Sequence, residues 1–355
     1  MIPKEIIQKI LEAGVQAPSG ENCQPWCFDI ADNKIRIFNI PERDTSLYNV
    51  SQLGSFVAHG ALIENISIKS ASMGYSCSIE LFPNTKDKNH VADLTLIESE
   101  KDQEELSIFI SERSSNRHPY LEKKLTQEHK LELEKSLQGI NDVEIRLIEN
   151  KESRKNLAKY LVASDRILFE NEKVHDFLFS HIIWNKMEAE NKKSGFYIKE
   201  LALPLLVEKI FKILRNWNKV LLLNKFGFSK FAAQGNVKLY SKGSAIVSIL
   251  VNNNRPADFI SAGRAMQRFW LFATKMGLSM QPITGVLFFN QRVLANQAQD
   301  FSNDHIELIK QSYSNICKII ETKEKTIAMI FRIGWAIYPA IKSNRLPPIY
   351  CSSKS

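Results

Sequence analysis

The chain lacks any run of about 18 uninterrupted apolar residues, so nothing in it reads as a membrane-spanning helix. Cysteine is scarce: Cys23, Cys27, Cys77, Cys317 and Cys351 are odd in number, scattered, and free of CxxC spacing. That pattern excludes a zinc knuckle or a dithiol redox motif, and a reducing cytoplasm is the expected setting. GxSxG, GxGxxG and P-loop sequences are missing, which removes local support for hydrolase, Rossmann and kinase chemistry. His59, His118, His129, His175, His181 and His305 show no ligand spacing, so no metal site is expected. The opening MIPKEIIQKILEAG sets Lys4, Glu5 and Lys9 among apolar residues at helical spacing, without the apolar core or cleavage site of a signal peptide.

What is present is a folding composition. The 355 residues are 44% hydrophobic and 24% charged, enough for an ample core and for about two domains. The formal charge of +8 can serve nucleic acid, an anionic membrane or an anionic cofactor, so its location matters. Five of those charges fall between Lys199 and Lys230, where seven basic residues meet two acidic ones. The same segment is rich in leucine and isoleucine from Leu201 onward and reads as one or two amphipathic helices. Packing on the core or over a site is expected of it in preference to contact with a membrane surface. It has no interleaved glycines and no nucleic-acid motif, so a nucleic-acid partner is not expected.

The chain repeats itself weakly. HGALIENISIKSASMGYS, residues 59–76, aligns with AGRAMQRFWLFATKMGLS, residues 262–279, at a constant offset of 203. Gly60 meets Gly263, and Met73-Gly74 meets Met276-Gly277. Both copies read as a long buried helix closed by a glycine in left-handed backbone. A second correspondence precedes the first: the helix Ile2 to Gly14 leads to a strand at Ile35, and the helix Thr126 to Gly139 leads to a strand at Ile145. The first connection is longer by about 15 residues, which include APSGENCQPW, Ala17 to Trp26. Between strand and long helix the second copy is longer by 93 residues, and the basic amphipathic segment lies in that addition. The expected fold is therefore α+β, in two related halves at 1–106 and 107–355, the second carrying an insert at about 150–240. Strands are predicted at Ile35–Ile40, Asp93–Ile97, Val143–Ile148, Ala245–Val251 and Thr326–Arg332.

APSGENCQPW is a loop by its turn formers, offering hydroxyl, amide and backbone N–H groups rather than a charged catalyst. In SERSSNRHPY, Arg113, Ser114, Ser115 and Arg117 place two guanidiniums and two hydroxyls within five residues, a set suited to an anion such as phosphate. Lys342 and Arg345 form a further cation pair in AIKSNRLPP.

These stretches, together with GRAMQRFWLFATKMGL leading into QPITG and a final FRIGWA…KSNRLPP, resemble the nitroreductase family of FMN-binding flavoproteins across most of the chain. In that family two subunits swap elements and share each flavin between an Arg-rich motif and tail of one subunit and the Pro-Ser loop of the other. Here the loop occurs only in the first half, and the Arg-Ser motif, PITG and basic tail only in the second. The resemblance thus implies a nitroreductase-like fused pseudo-dimer around long central helices and mixed sheets, with one complete flavin site.

Carried over residue by residue, it implies that Arg113, Ser114, Arg345 and Lys342 hold the FMN phosphate. Ser115 and Arg117 would face the ribityl chain and pyrimidine edge, with Ser19, Gly20 and Asn22 reaching across from the other half. Thr284 and Gly285 would lie near N5, and Asn236 would offer an amide to the pyrimidine edge. The implied activity is an oxidoreductase passing hydride from NAD(P)H to a nitroaromatic or quinone-like acceptor, with no side-chain catalyst demanded. The alternative is a flavin-sequestering protein whose insert acts as a lid. Either would be a cytoplasmic monomeric pseudo-dimer or a homo-oligomer.

Overall fold

The computed structural model describes residues 2–100 and 106–351. The expected division after residue 106 follows directly on residues 101–105, which lie outside the described part.

Two four-stranded sheets repeat one plan. In the first, β1 (Trp26–Ala31), β2 (Lys34–Asn39), β3 (Tyr75–Leu81) and β4 (His90–Glu98) lie in the order β1-β2-β4-β3. A short two-stranded pair, β6 (Ile182–Ile183) with β7 (Phe196–Tyr197), follows β5 (Val143–Ile148) in the chain. The second large sheet joins β5 to β8 (Ala245–Val251), β9 (Ser279–Pro282) and β10 (Thr326–Gly334) in the order β5-β8-β10-β9. Each sheet therefore orders its strands first, second, fourth, third, and each inserts a 20-residue helix between its second and third strands. The ladders are antiparallel, with Ile35 opposite Leu94 and Ile145 opposite Ile249. Among the described residues, parallel pairing, expected within mixed sheets, is confined to the β6–β7 pair and to the bridges Phe28–Tyr350 and Ser115–Met280. All five predicted strands are present; β1, β3 and the short β9 complete the two sheets.

The two long helices, Leu53–Ser72 and Pro256–Lys275, pack on each other at the centre. Each is closed as the sequence predicts, by Gly74 at φ 86° and Gly277 at φ 71°. They touch at the aligned glycines: a Cβ on Gly60 would lie 2.1 Å from the Ile260 carbonyl oxygen, and one on Gly263 2.0 Å from that of Val57. Only backbone without side chain fits that crossing. Around it, buried Glu64 takes Arg264 and Arg268 at 2.9 Å each, and Gln267 donates to Asn65 at 2.7 Å. The main core runs through both helices and the inner faces of both sheets. A second core covers the other face of the second sheet, under the helices Lys151–Leu161, Phe228–Ser241 and Asn303–Ile320.

The chain end returns to its start. Phe28 N–H donates to the Ile349 carbonyl and Cys351 N–H to that of Phe28, both at 2.8 Å, and Cys27 is disulfide-bonded to Cys351. This bond departs from the expectation of unpaired thiols in a reducing setting, because β1 brings together cysteines 324 residues apart. No helix among the described residues is long and apolar enough to cross a membrane.

Candidate functional site

A cavity of about 360 Å³ opens where the first-half loop, the 111–117 segment, the start of the helix Gly285–Leu294, the insert and the C-terminal tail converge. Ser19, Gly20, Asn22, Arg113, Ser114, Ser115, Arg117, Thr284, Gly285, Lys342 and Arg345 all line it. Asn236 does not: it lies on the helix Phe228–Ser241 and donates to the Asp165 carboxylate at 2.8 Å, so it orients a wall residue.

The loop is held in unusual backbone. Glu21, Asn22 and Gln24 have φ of 43°, 55° and 51°, each a left-handed conformation that costs a residue with a side chain on the order of 1 kcal/mol. Contacts from distant segments hold it there. Asn22 Nδ2 donates to the carbonyls of Gly195 and Asn344 at 3.3 and 3.0 Å. Gln24 donates to the Lys193 carbonyl at 2.8 Å and accepts from Leu346 N–H at 2.8 Å. The loop is thus clamped by the insert and the tail together, and its shape depends on both.

One end of the cavity is cationic. Arg113 is buried, lies 4.8 Å above the Trp270 ring and donates through Nη2 to the Gln16 carbonyl at 2.8 Å, while its Nε has no partner. Arg345 donates to the Ala17 carbonyl at 3.3 Å. Among the described residues no carboxylate forms an ion pair with Arg113, Arg117 or Arg345. Burial and then the Arg345 charge pull Arg113 down to about 9, and burial lowers Arg345 to about 10. Both remain cations at neutral pH, and an anion between them would relieve both burial and repulsion. Lys342 reaches the Ser111 carbonyl at 2.8 Å, and Arg117 stacks 4.9 Å above Phe196 while donating to the Glu200 carbonyl at 3.2 Å.

The other wall holds carboxyl groups. Glu21, Asp44 and Asp165 line the cavity beside Tyr48 and Tyr240. Burial, and then Asp44, raise Glu21 to about 8, so it holds a proton at neutral pH. Burial raises Asp165 to about 6 and also raises Asp44. Glu21, Cys23 and Asp44 bring one ligand-type atom each within 4.8 Å of one another. Burial pushes the Cys23 thiol up as well, which favours protons on all three. The loop therefore carries a protonated carboxyl where hydroxyls and amides alone were expected. Glu21 sits inside the motif itself, whereas Asp44, Tyr48, Asp165 and Tyr240 reach the wall from turns and helices that show no local motif.

Backbone approach shapes the third side. A Cβ on Gly285 would lie 2.6 Å from that of Ser164 and 3.2 Å from the Tyr48 ring, so the helix can begin against the cavity only with glycine there. Its first N–H groups lack intrahelical partners by geometry and offer donors to a ligand.

No family model matches the chain. In sequence it is 24% identical over 347 residues to the uncharacterized protein MT1398 of Mycobacterium tuberculosis, covering 97% of this chain and 47% of that one. It is 27% identical over 96 residues to a protein of the same organism provisionally named NAD(P)H nitroreductase acg, covering 26% of this chain and 28% of that one. The chain thus spans about half the length of the first relative and less than a third of the second. Among solved structures, an iodotyrosine deiodinase bound to FMN and 3-iodo-L-tyrosine gives a TM-score of 0.38 at 12% identity, covering 70% of this chain and 99% of that one. The FMN-dependent nitroreductase NfnB from Mycobacterium smegmatis in complex with NADPH gives 0.37 at 12% identity, covering 66% and 90%. In sequence, stretches covering 26% and 33% of the chain are similar to proteins provisionally named NAD(P)H nitroreductases.

Proposed function

We infer that the chain is an FMN-dependent oxidoreductase whose single flavin site is this cavity. The observation that carries the reading is the pair of buried guanidiniums, Arg113 and Arg345, which line one cavity, form no ion pair with a carboxylate among the described residues, and leave Arg113 Nε unpartnered. A phosphate dianion matches that donor set in charge and in its capacity for hydrogen bonds. Bound there, FMN would supply hydride transfer, from NAD(P)H as donor to a nitroaromatic or quinone-like acceptor.

The chain's own residues bind, orient and hold protons. Arg113 and Arg345, with Ser114 and Lys342, would hold the phosphate, and Ser115 would serve the ribityl hydroxyls. Arg117 would offer a cation to the pyrimidine edge of the ring. Ser19, Gly20 and Asn22 would close the first-half side, and the N–H groups at Thr284 and Gly285 would be available to the ring. Glu21, protonated at neutral pH, holds a proton within the same wall for an acceptor that gains charge on reduction.

A second reading, flavin sequestration beneath a lid, draws on the insert's part in the wall: Leu178, Phe196 and Tyr240 line the cavity. The absorbance spectrum of the purified chain, with identification of the released flavin, tests the common premise. A colourless chain that also fails to bind added FMN would sink both readings. Bleaching of bound flavin by NAD(P)H, followed by reoxidation with a quinone or nitroaromatic, supports the enzyme. Bound flavin that NAD(P)H leaves oxidised supports sequestration.

A further inference from the structure

The basic insert has two faces with opposite environments. Inward, Leu214 and Val220 are buried with Phe169, Phe179 and Ile198 in a local core of their own. Outward, the helices Leu205–Leu214 and Trp217–Asn224 and the start of Phe228–Ser241 leave large apolar side chains in solvent. Leu205 is 73% exposed, Leu206 70%, Phe226 84% and Phe231 80%, with Ile213 and Leu222 above half. The expectation that this segment packs inward therefore holds for one side of it and fails for the other.

The exposed charges that these helices themselves carry are of one sign. From Pro204 to Lys238 every exposed ionisable side chain is Lys or Arg. The sole carboxylate in that stretch, Glu208, is buried and bonded to Lys199 at 2.5 Å, with Lys212 at 3.8 Å. An apolar surface of this extent on a folded chain marks a partner. Helices whose exposed charges are all cationic repel a second copy of themselves and complement a negatively charged surface. Helices of 8 to 14 residues are too short to span a bilayer but can lie in its interface, with leucine and phenylalanine among the acyl chains and lysine stems reaching the headgroups.

We propose that this face of the insert docks the protein on an anionic lipid surface. The inference is independent of the flavin, since its residues point away from the local core and do not line the cavity.

The full chain, mixed with vesicles of phosphatidylcholine alone or of phosphatidylcholine with phosphatidylglycerol, should sediment with the second at least about tenfold more strongly, and less so as salt rises. The variant L206S/F226S/F231S changes only exposed side chains and should keep the wild-type circular dichroism and melting temperature while losing at least about tenfold in vesicle binding. K219E/K225E should lose the preference for anionic vesicles. Failure of the wild type to sediment, equal binding to both vesicles, or undiminished binding by the folded triple variant would overturn the proposal. Self-association of the free chain that the triple variant disperses, with no vesicle binding, would assign the face to a second copy and overturn it equally.

Discussion

The two large sheets share a strand order but not an environment. In the first, β3 alternates between half-buried and exposed residues along Tyr75–Leu81, as a sheet covered on one face must. In the second, all seven residues of β8 are buried, because helices added between β5 and β8, together with those between β9 and β10, cover its second face. One half keeps a two-layer design while the other has become three-layered. The site follows the same division. What the halves have in common, the paired sheets and the crossing helices, builds the frame. What each has alone, the loop in one and the Arg-Ser segment, insert and tail in the other, supplies most of the polar lining of the cavity, over a floor that includes Val57, Met266 and Trp270 of the shared helices.

The shared frame can be broken at its centre, with the largest expected effect. Gly263→Val drives a side chain into the Val57 carbonyl, and overpacking at an unyielding backbone should cost about 3 kcal/mol or more, read from the denaturant midpoint. A wild-type midpoint would mean that the helices do not cross there.

The unshared part answers to the next test. R113A/R345A should weaken FMN binding at least about 100-fold, at about 1.5 to 3 kcal/mol per charge-assisted contact, while the far-UV spectrum is kept. Titration of the wild type should saturate at one flavin per chain. Saturation at two would place a working site in each half and erase the contrast between them.

The smallest expected effect concerns Glu21. A carboxyl raised from 4.5 to about 8 by burial binds its proton more tightly in the folded chain. Its contribution to stability is complete below the unfolded value, declines as pH rises, and is gone once pH has passed through about 8. Glu21→Gln should therefore flatten the fall in melting temperature over that interval and leave the variant the more stable form above it. A parallel decline in both proteins would show that Glu21 ionises normally.

Much of the frame was legible because it is written in local pattern. Apolar periodicity and a terminal glycine mark both long helices, and the alignment of Gly60 with Gly263 anticipates the pair that meets at the crossing. β3 escaped because YSCSIEL is half polar and follows directly on the long helix, and β9 because four residues carry little pattern. The cationic end of the cavity could be read from motifs. The carboxyl wall could not, since Asp44 and Asp165 become neighbours of Glu21 only through tertiary folding. The insert shows the limit most clearly: periodicity separates apolar from basic positions along Leu205–Asn224, but it cannot say whether an apolar stripe has anything to pack against.

The close approach of Gly60 and Gly263 has a further consequence for a chain that holds both halves. In a symmetric dimer every substitution is made twice, so a change that improves one copy of a surface is imposed on the other. Joining the halves removes that constraint, and it holds them at an effective concentration that does not fall on dilution. Each side of the crossing is then free to diverge while the helix contact persists. The halves differ by about 15 residues in one connection and by 93 in another, with the glycine pair still in place.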